Sequence, residues 1–114
     1  MQEFDIPIFK KTYDLYKNFY SIRSKVSKQD RYTIFLRSEN LILEVLEGIL
    51  NASQLSKEKK LPILEKTSLK LNLLRVFIRL MKDVKSIDLK NYATMEESVD
   101  EIGRMLGGWI KSTK

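Results

Sequence analysis

Apolar residues recur at helical spacing along nearly the whole chain, and no stretch alternates with period two for long enough to make a strand. That periodicity points to an all-α fold built from four helical segments. The first is expected to begin near Pro7, a residue suited to the opening position of a helix and preceded by Asp5, and to run to about Val26. SKQD, Ser27–Asp30, is its polar exit. Asp30 is placed to cap the second segment, which reaches about Ala52, and Asn51, Ser53, Gln54 and Ser56 supply the next connection. The third starts between Ser56 and Pro62 and ends near Lys85; Asp88 or Ser86 caps the fourth, which ends near Ser112. Because the connections are short, neighbouring helices are expected to run antiparallel, giving an up-down-up-down four-helix bundle that takes in residues 1–114 as a single domain.

Several of these helices carry more apolar surface than one core needs. At about 100° per residue, the third places Leu64, Leu71, Leu74, Ile78 and Met81 on one face and Leu69, Leu73, Val76, Phe77, Leu80 and Val84 on a nearly opposite one. The first has Phe9, Tyr13, Tyr16 and Tyr20 in one row and Leu15, Phe19, Ile22 and Val26 in another. The second adds Leu36, Leu43 and Leu50 behind a main face of Ile34, Leu41, Ile42, Val45, Leu46 and Ile49. One helix cannot bury two opposed faces against the same neighbours. The surplus therefore predicts a homo-oligomer, with Leu69, Leu73, Val76, Phe77 and Leu80 as the expected subunit interface. Periodicity alone leaves open which stripe is core.

Absent residue types narrow the chemistry. The chain has no His and no Cys, which removes zinc fingers, thiol nucleophiles and Ser-His-Asp triads. The lack of Cys fits a reducing, cytoplasmic setting. MQEFDIPIFK carries early acids and lacks the basic start and apolar core of a signal peptide. Leu41–Leu50 and Leu71–Met81 are interrupted by Glu44 and Glu47 and by Arg75 and Arg79, so no membrane span is expected. Glu44 with Glu47 and Glu97 with Glu101 stand about one helical turn apart, but a di-iron bundle needs Glu-x-x-His repeats. No metal, cofactor or catalytic residue is expected, and the chain is read as a non-enzyme.

Charge is unevenly placed. Net charge is +1 over residues 1–51, +6 over 52–91 and −1 over 92–114, so the whole excess lies between Lys57 and Lys90. A polyanion is the natural partner of such a surface. Within it, Ser68, Asn72, Arg75, Arg79, Lys82 and Ser86 form a polar seam between the two apolar faces of the third helix. Arg75, Arg79 and Lys82 align three cations about one turn apart and are the expected centre of a nucleic-acid track. Lys66, Lys70 and Lys85 flank it, and Arg104 and Lys111 contribute from the fourth helix. The competing reading pairs the same cations with acids of neighbouring helices, such as Glu39, Glu44, Glu47, Asp100 or Glu101. The Tyr13, Tyr16, Tyr20 row is read as half-buried packing rather than base stacking. Gly103, Gly107 and Gly108, three glycines within six residues, suggest that something packs against the helix backbone there.

Specific motifs carry a family resemblance. EIGRMLGGWIKS (Glu101–Ser112), the long segment Leu61–Lys85, PIFKKTYDLY (Pro7–Tyr16) and Arg37-x-Glu39-Asn40 resemble the four-helix-bundle proteins typified by the accessory variability determinant of diversity-generating retroelements. The resemblance covers almost the whole chain, and the terminal motif is its specific part. It implies a small basic bundle that assembles as a pentamer and binds RNA or DNA. It also implies an accessory subunit that partners a reverse transcriptase and template RNA in mutagenic cDNA synthesis and retrohoming. Related bundles are encoded in intervening sequences of ribosomal RNA genes, and a structural assembly protein with protein partners only is the alternative.

Overall fold

The computed structural model describes residues 6–114, so Asp5 lies outside the described residues. Helix α1 spans Pro7–Ile22, a 3-10 turn covers Arg23–Lys25, and the short α2 spans Lys28–Arg31. The long helices α3 (Ile34–Ser53), α4 (Lys57–Asp83) and α5 (Leu89–Thr113) follow, with no strand among the described residues. The four long helices form a four-helix bundle in which α1 and α4 each pack against both α3 and α5. At a rise of about 1.5 Å per residue, the 27 residues of α4 cover nearly all of the 43 Å long axis.

Capping chemistry explains where the boundaries depart from the sequence expectation. Val26 adopts an extended conformation after the 3-10 turn, ending α1 four residues early as an α-helix. Ser27, not Asp30, is the cap that follows: its hydroxyl accepts the Asp30 amide at 3.3 Å and SKQD coils into α2 instead of remaining an exit. The Asp30 carboxylate accepts from the Ser86 hydroxyl at 2.6 Å, tying α2 to the α4–α5 connection. The second long helix therefore starts at Ile34. Pro62 lies inside α4, which begins at Lys57; its missing N–H falls in the second turn and removes one donor near the helix start.

The end of α4 is a Schellman motif. The Ser86 amide donates to the Met81 carbonyl at 2.8 Å and the Lys85 amide to that of Lys82 at 3.0 Å, with Lys85 itself at φ 65°. Asp88 then caps α5 by accepting the Asn91 amide at 2.7 Å, as expected.

Burial identifies the core stripe of α4. Leu64, Leu71, Leu74, Ile78 and Met81 are fully enclosed, together with Leu15 and Phe19 of α1, Phe35, Ile42 and Ile49 of α3, and Met95, Val99 and Ile102 of α5. Phe19 and Phe35 stack obliquely at 5.1 Å between centroids. Side-chain contacts mark the register. On α3 and α4, Ser38 meets Met81, Arg37 lies over Phe77, Glu44 pairs with Lys70, and Gly48 abuts Thr67. On α4 and α5, Lys60 lies over Trp109, Arg75 pairs with Asp100, and Lys82 lies over Tyr92.

Gly48 marks a close approach of α3 to α4. A Cβ there would collide with the Thr67 hydroxyl and crowd its Cβ and methyl at 3.2 and 3.3 Å. Thr67 is buried and its hydroxyl donates to the Ile63 carbonyl at 2.8 Å, so rotation only exchanges one clash for another. Replacing Gly48 by Ala gains about 1 kcal/mol of helix propensity but overpacks the contact by about 1–3 kcal/mol, for a net loss of up to about 2 kcal/mol. Urea denaturation of Gly48→Ala, Thr67→Ala and the double variant is expected to show the double variant more stable than the sum of the single changes. Additive losses would mean that the two residues do not limit the approach.

Candidate nucleic-acid interface

The polar seam of α4 runs along its junction with α5. Arg75 is half-buried and turned toward α5: its guanidinium pairs with Asp100 and lies across Gly103, with Nη2 3.1 Å from where a Cβ would stand. Lys82 sits 4.7 Å from the Tyr92 ring centroid and 3.6 Å from the Asp83 carboxylate. Arg79 is exposed and has no ion pair among the described residues. Of the three central cations, Arg79 is thus the one most open to a phosphate, while Arg75 and Lys82 are held at their positions by α5.

The flanking residues divide between two sides. Lys70 pairs with Glu44 of α3 at 2.9 Å, and Lys66 lines the small cavity beside that pair with Glu47 and Thr67. These two belong to the α3 side, whereas Arg75 and Lys82 belong to the α5 side. Lys85, Arg104 and Lys111 are exposed. The structure therefore does not gather all eight residues into one line.

Between the two groups lies the second apolar stripe of α4, uncovered by the chain. Leu69 is 71% exposed, Val76 60%, and Leu73 and Leu80 about two-fifths. Phe77 is partly buried, with the Arg37 guanidinium 5.6 Å from its ring centroid. A second apolar groove is formed by Tyr13, Tyr16, Tyr20, Leu43 and Leu46 between α1 and α3. Gly103 meets Leu71 and Arg75 of α4, as close packing against the backbone requires, but Gly107 and Gly108 face open space within the chain.

A further cluster escaped the sequence reading. Tyr20, Ser21, Arg23, Ser24, Arg31 and Tyr32 line one cleft, and Lys25, Lys82 and Lys85 share the neighbouring one across the same 3-10 turn. The signal lay in the ten residues 23–32, which hold four cations and one acid. Summing charge over 1–51 diluted it to +1.

A family model described as bAvd-like matches residues 7–113. No curated protein matches the chain. Among the described residues no group of three His, Cys, Asp or Glu side chains stands together to hold a metal ion, and no helix is long and apolar enough to cross a membrane.

Glu39 is buried at the α1–α3 junction, 4% exposed, and its Oε2 has no hydrogen-bond partner. Burial raises the Tyr16 phenol above its ordinary pKa, reinforced by the Glu39 charge and a hydrogen bond to that carboxylate and opposed by Arg23. A phenol whose folded pKa lies above its unfolded value of about 10 contributes stability that is fully present below that pH and is lost as pH rises through the folded pKa. Stability measured by urea denaturation from about pH 9 to 11 is expected to fall more steeply for the wild-type chain than for Tyr16→Phe. Equal slopes would show that Tyr16 ionises freely in the folded chain.

Proposed function

The chain belongs to the bAvd-like family, and from that membership and the surface of α4 we propose a nucleic-acid-binding accessory subunit of a diversity-generating retroelement. Its partners are a reverse transcriptase and the template RNA of mutagenic cDNA synthesis and retrohoming. The observation that carries the reading is an uncovered apolar strip, Leu69, Leu73, Val76 and Leu80, bordered on one side by the Arg75, Arg79, Lys82 seam. Chains that associate through the strip repeat the seam once per subunit, so assembly multiplies local positive charge without any new residue. The assembly is read as a homopentamer in the cytoplasm, and the bundle as up-down-up-down and antiparallel. The opposed numbering of the contacts along α3–α4 and α4–α5 supports that arrangement. Catalysis is assigned to the reverse transcriptase, leaving this subunit to bind and present nucleic acid.

Capture works by counterion release. Cations that neutralise phosphates free condensed ions from the nucleic acid, which gives affinity with little base preference. Arg79 engages without breaking an existing contact, whereas Arg75 must leave Asp100 or reach past it. Arg79 therefore carries the larger share.

Two measurements test the reading. Sedimentation at micromolar concentration is expected to show a pentamer, and Leu73→Glu or Val76→Glu to give smaller species that keep full helicity, because these positions lie outside the core. A monomeric wild-type chain would remove the assembly. For binding, a subunit that neutralises about three phosphates gives a slope of log affinity against log salt near −3 on duplex DNA and nearer −2 on single strands. Replacing Arg75, Arg79 and Lys82 together by Gln is expected to weaken RNA and DNA binding alike and flatten that slope, with Arg79→Gln alone costing more than Arg75→Gln. Unchanged affinity and slope in a folded, assembled triple variant would eliminate the seam as the binding track.

A further inference from the structure

The end of the bundle where α1 gives way to α2 combines cations with exposed aromatic rings. The cleft there encloses about 490 Å³ and is lined by two arginines, two tyrosines and two serines. Tyr20 is 63% and Tyr32 58% exposed, so both ring faces are open to solvent or a ligand. Arg23 and Arg31 have no ion pair among the described residues. Arg31 is nonetheless fixed, since its Nη2 donates to the Val26 carbonyl at 3.0 Å, while its buried Nε–H has no partner. Two guanidiniums without an ion pair, that of Arg31 held by the Val26 carbonyl, stand beside two exposed aromatic rings and match the needs of an unpaired nucleotide. Phosphate takes the cations and the base takes a ring face. An acidic peptide would use the arginines but leave both rings idle.

We propose that this cleft binds single-stranded RNA or DNA, with Arg23 and Arg31 on the phosphate backbone and Tyr20 and Tyr32 stacking on bases. The proposal rests on the nucleic-acid reading above and adds a second, strand-selective site to it. From the cleft, the adjoining surface of Lys25, Lys82 and Lys85, with Asp88 as the one acid lining it, continues the cationic path across the 3-10 turn. Lys82 is shared with the α4 seam, so the two sites are continuous along one edge. A duplex hides its base faces within the stack and gains nothing from the tyrosines. Selectivity for single strands is the signature of this site, whereas the seam alone treats both forms by charge.

Fluorescence anisotropy with a fluorescein-labelled oligouridine and with a blunt RNA duplex of equal length tests the site. Tyr32→Ala is expected to weaken oligouridine binding about tenfold, and Tyr20→Ala with Tyr32→Ala further, while duplex affinity stays as in the wild-type chain. Arg23→Gln with Arg31→Gln is expected to reduce the single-strand salt slope by about 1.4. Tyrosine variants that bind oligouridine as tightly as wild type, or that lose single strand and duplex equally, overturn the site. A wild-type chain that binds neither probe overturns the nucleic-acid reading itself, and the two failures are thereby distinct. Because Tyr20 also lines the α1–α3 groove, sedimentation of each variant checks its assembly. Photocrosslinking of the unaltered protein to 4-thiouridine RNA supplies a readout that needs no variant. Adducts are expected on the tryptic peptides 18–23 and 32–37, and adducts confined to other peptides overturn the proposal.

Discussion

Helix α4 has two opposed apolar faces and can bury only one of them within its own chain. The face that goes inward, Leu64, Leu71, Leu74, Ile78 and Met81, packs against α3 and α5 at the core, and α4 makes its most extensive contacts with those two helices. The face that remains outside is continuous over about three turns from Leu69 to Leu80. Its solvent exposure is unfavourable by an amount proportional to apolar area, about 25 cal/mol per Å². The remaining arcs of α4 are left for polar residues, which is why Arg75 and Lys82 meet α5 while Lys70 meets α3. The division of charge into two tracks is thus a consequence of where the apolar residues fall.

That logic accounts for what could be read without coordinates. The two stripes of α4 were legible because a 27-residue helix samples its period more than seven times, and a phase error of one residue would have spoiled the pattern. The 3-10 turn and α2 were not legible. Ser27 and Asp30 are both good caps, and choosing between them depends on Asp30 finding Ser86, a partner 56 residues away. At the start of α4, the range from Ser56 to Pro62 contained the answer, and the helix takes its first limit, with Ser56 at the N-cap position and Pro62 inside. A proline in the second turn sacrifices one hydrogen bond, which the buried contacts of Leu64 and Thr67 outweigh.

Electrostatic pairing was the least legible layer. Arg75, Arg79 and Lys82 share a line on α4, yet their surroundings are set by α5: Asp100 faces the first, Tyr92 the third, and nothing acidic pairs with the second. Sequence spacing supplies the line but not the opposing register. The basic end of the bundle was hidden for another reason, since its cations come from the turn, from α2 and from the end of α4. Only folding brings Arg23, Lys25 and Arg31 beside Lys82 and Lys85.

Lys85 shows how local stability and surface charge conflict at that end. Its φ of 65° lies in the left-handed region, where a non-glycine residue is less stable by about 1–2 kcal/mol, and the Schellman geometry around it is one in which glycine fits without strain. The lysine side chain is exposed and forms no ion pair among the described residues, so within the chain only the backbone hydrogen bonds of the Schellman motif offset the strain. What it does contribute is an ammonium group beside Lys25 and Lys82, at the one end where cations from three segments converge. The residue that the turn would choose and the residue that the surface would choose are different, and the chain carries the second. The strained position therefore belongs with the basic clefts, as part of the same electrostatic surface, rather than with the packing that holds the four helices together.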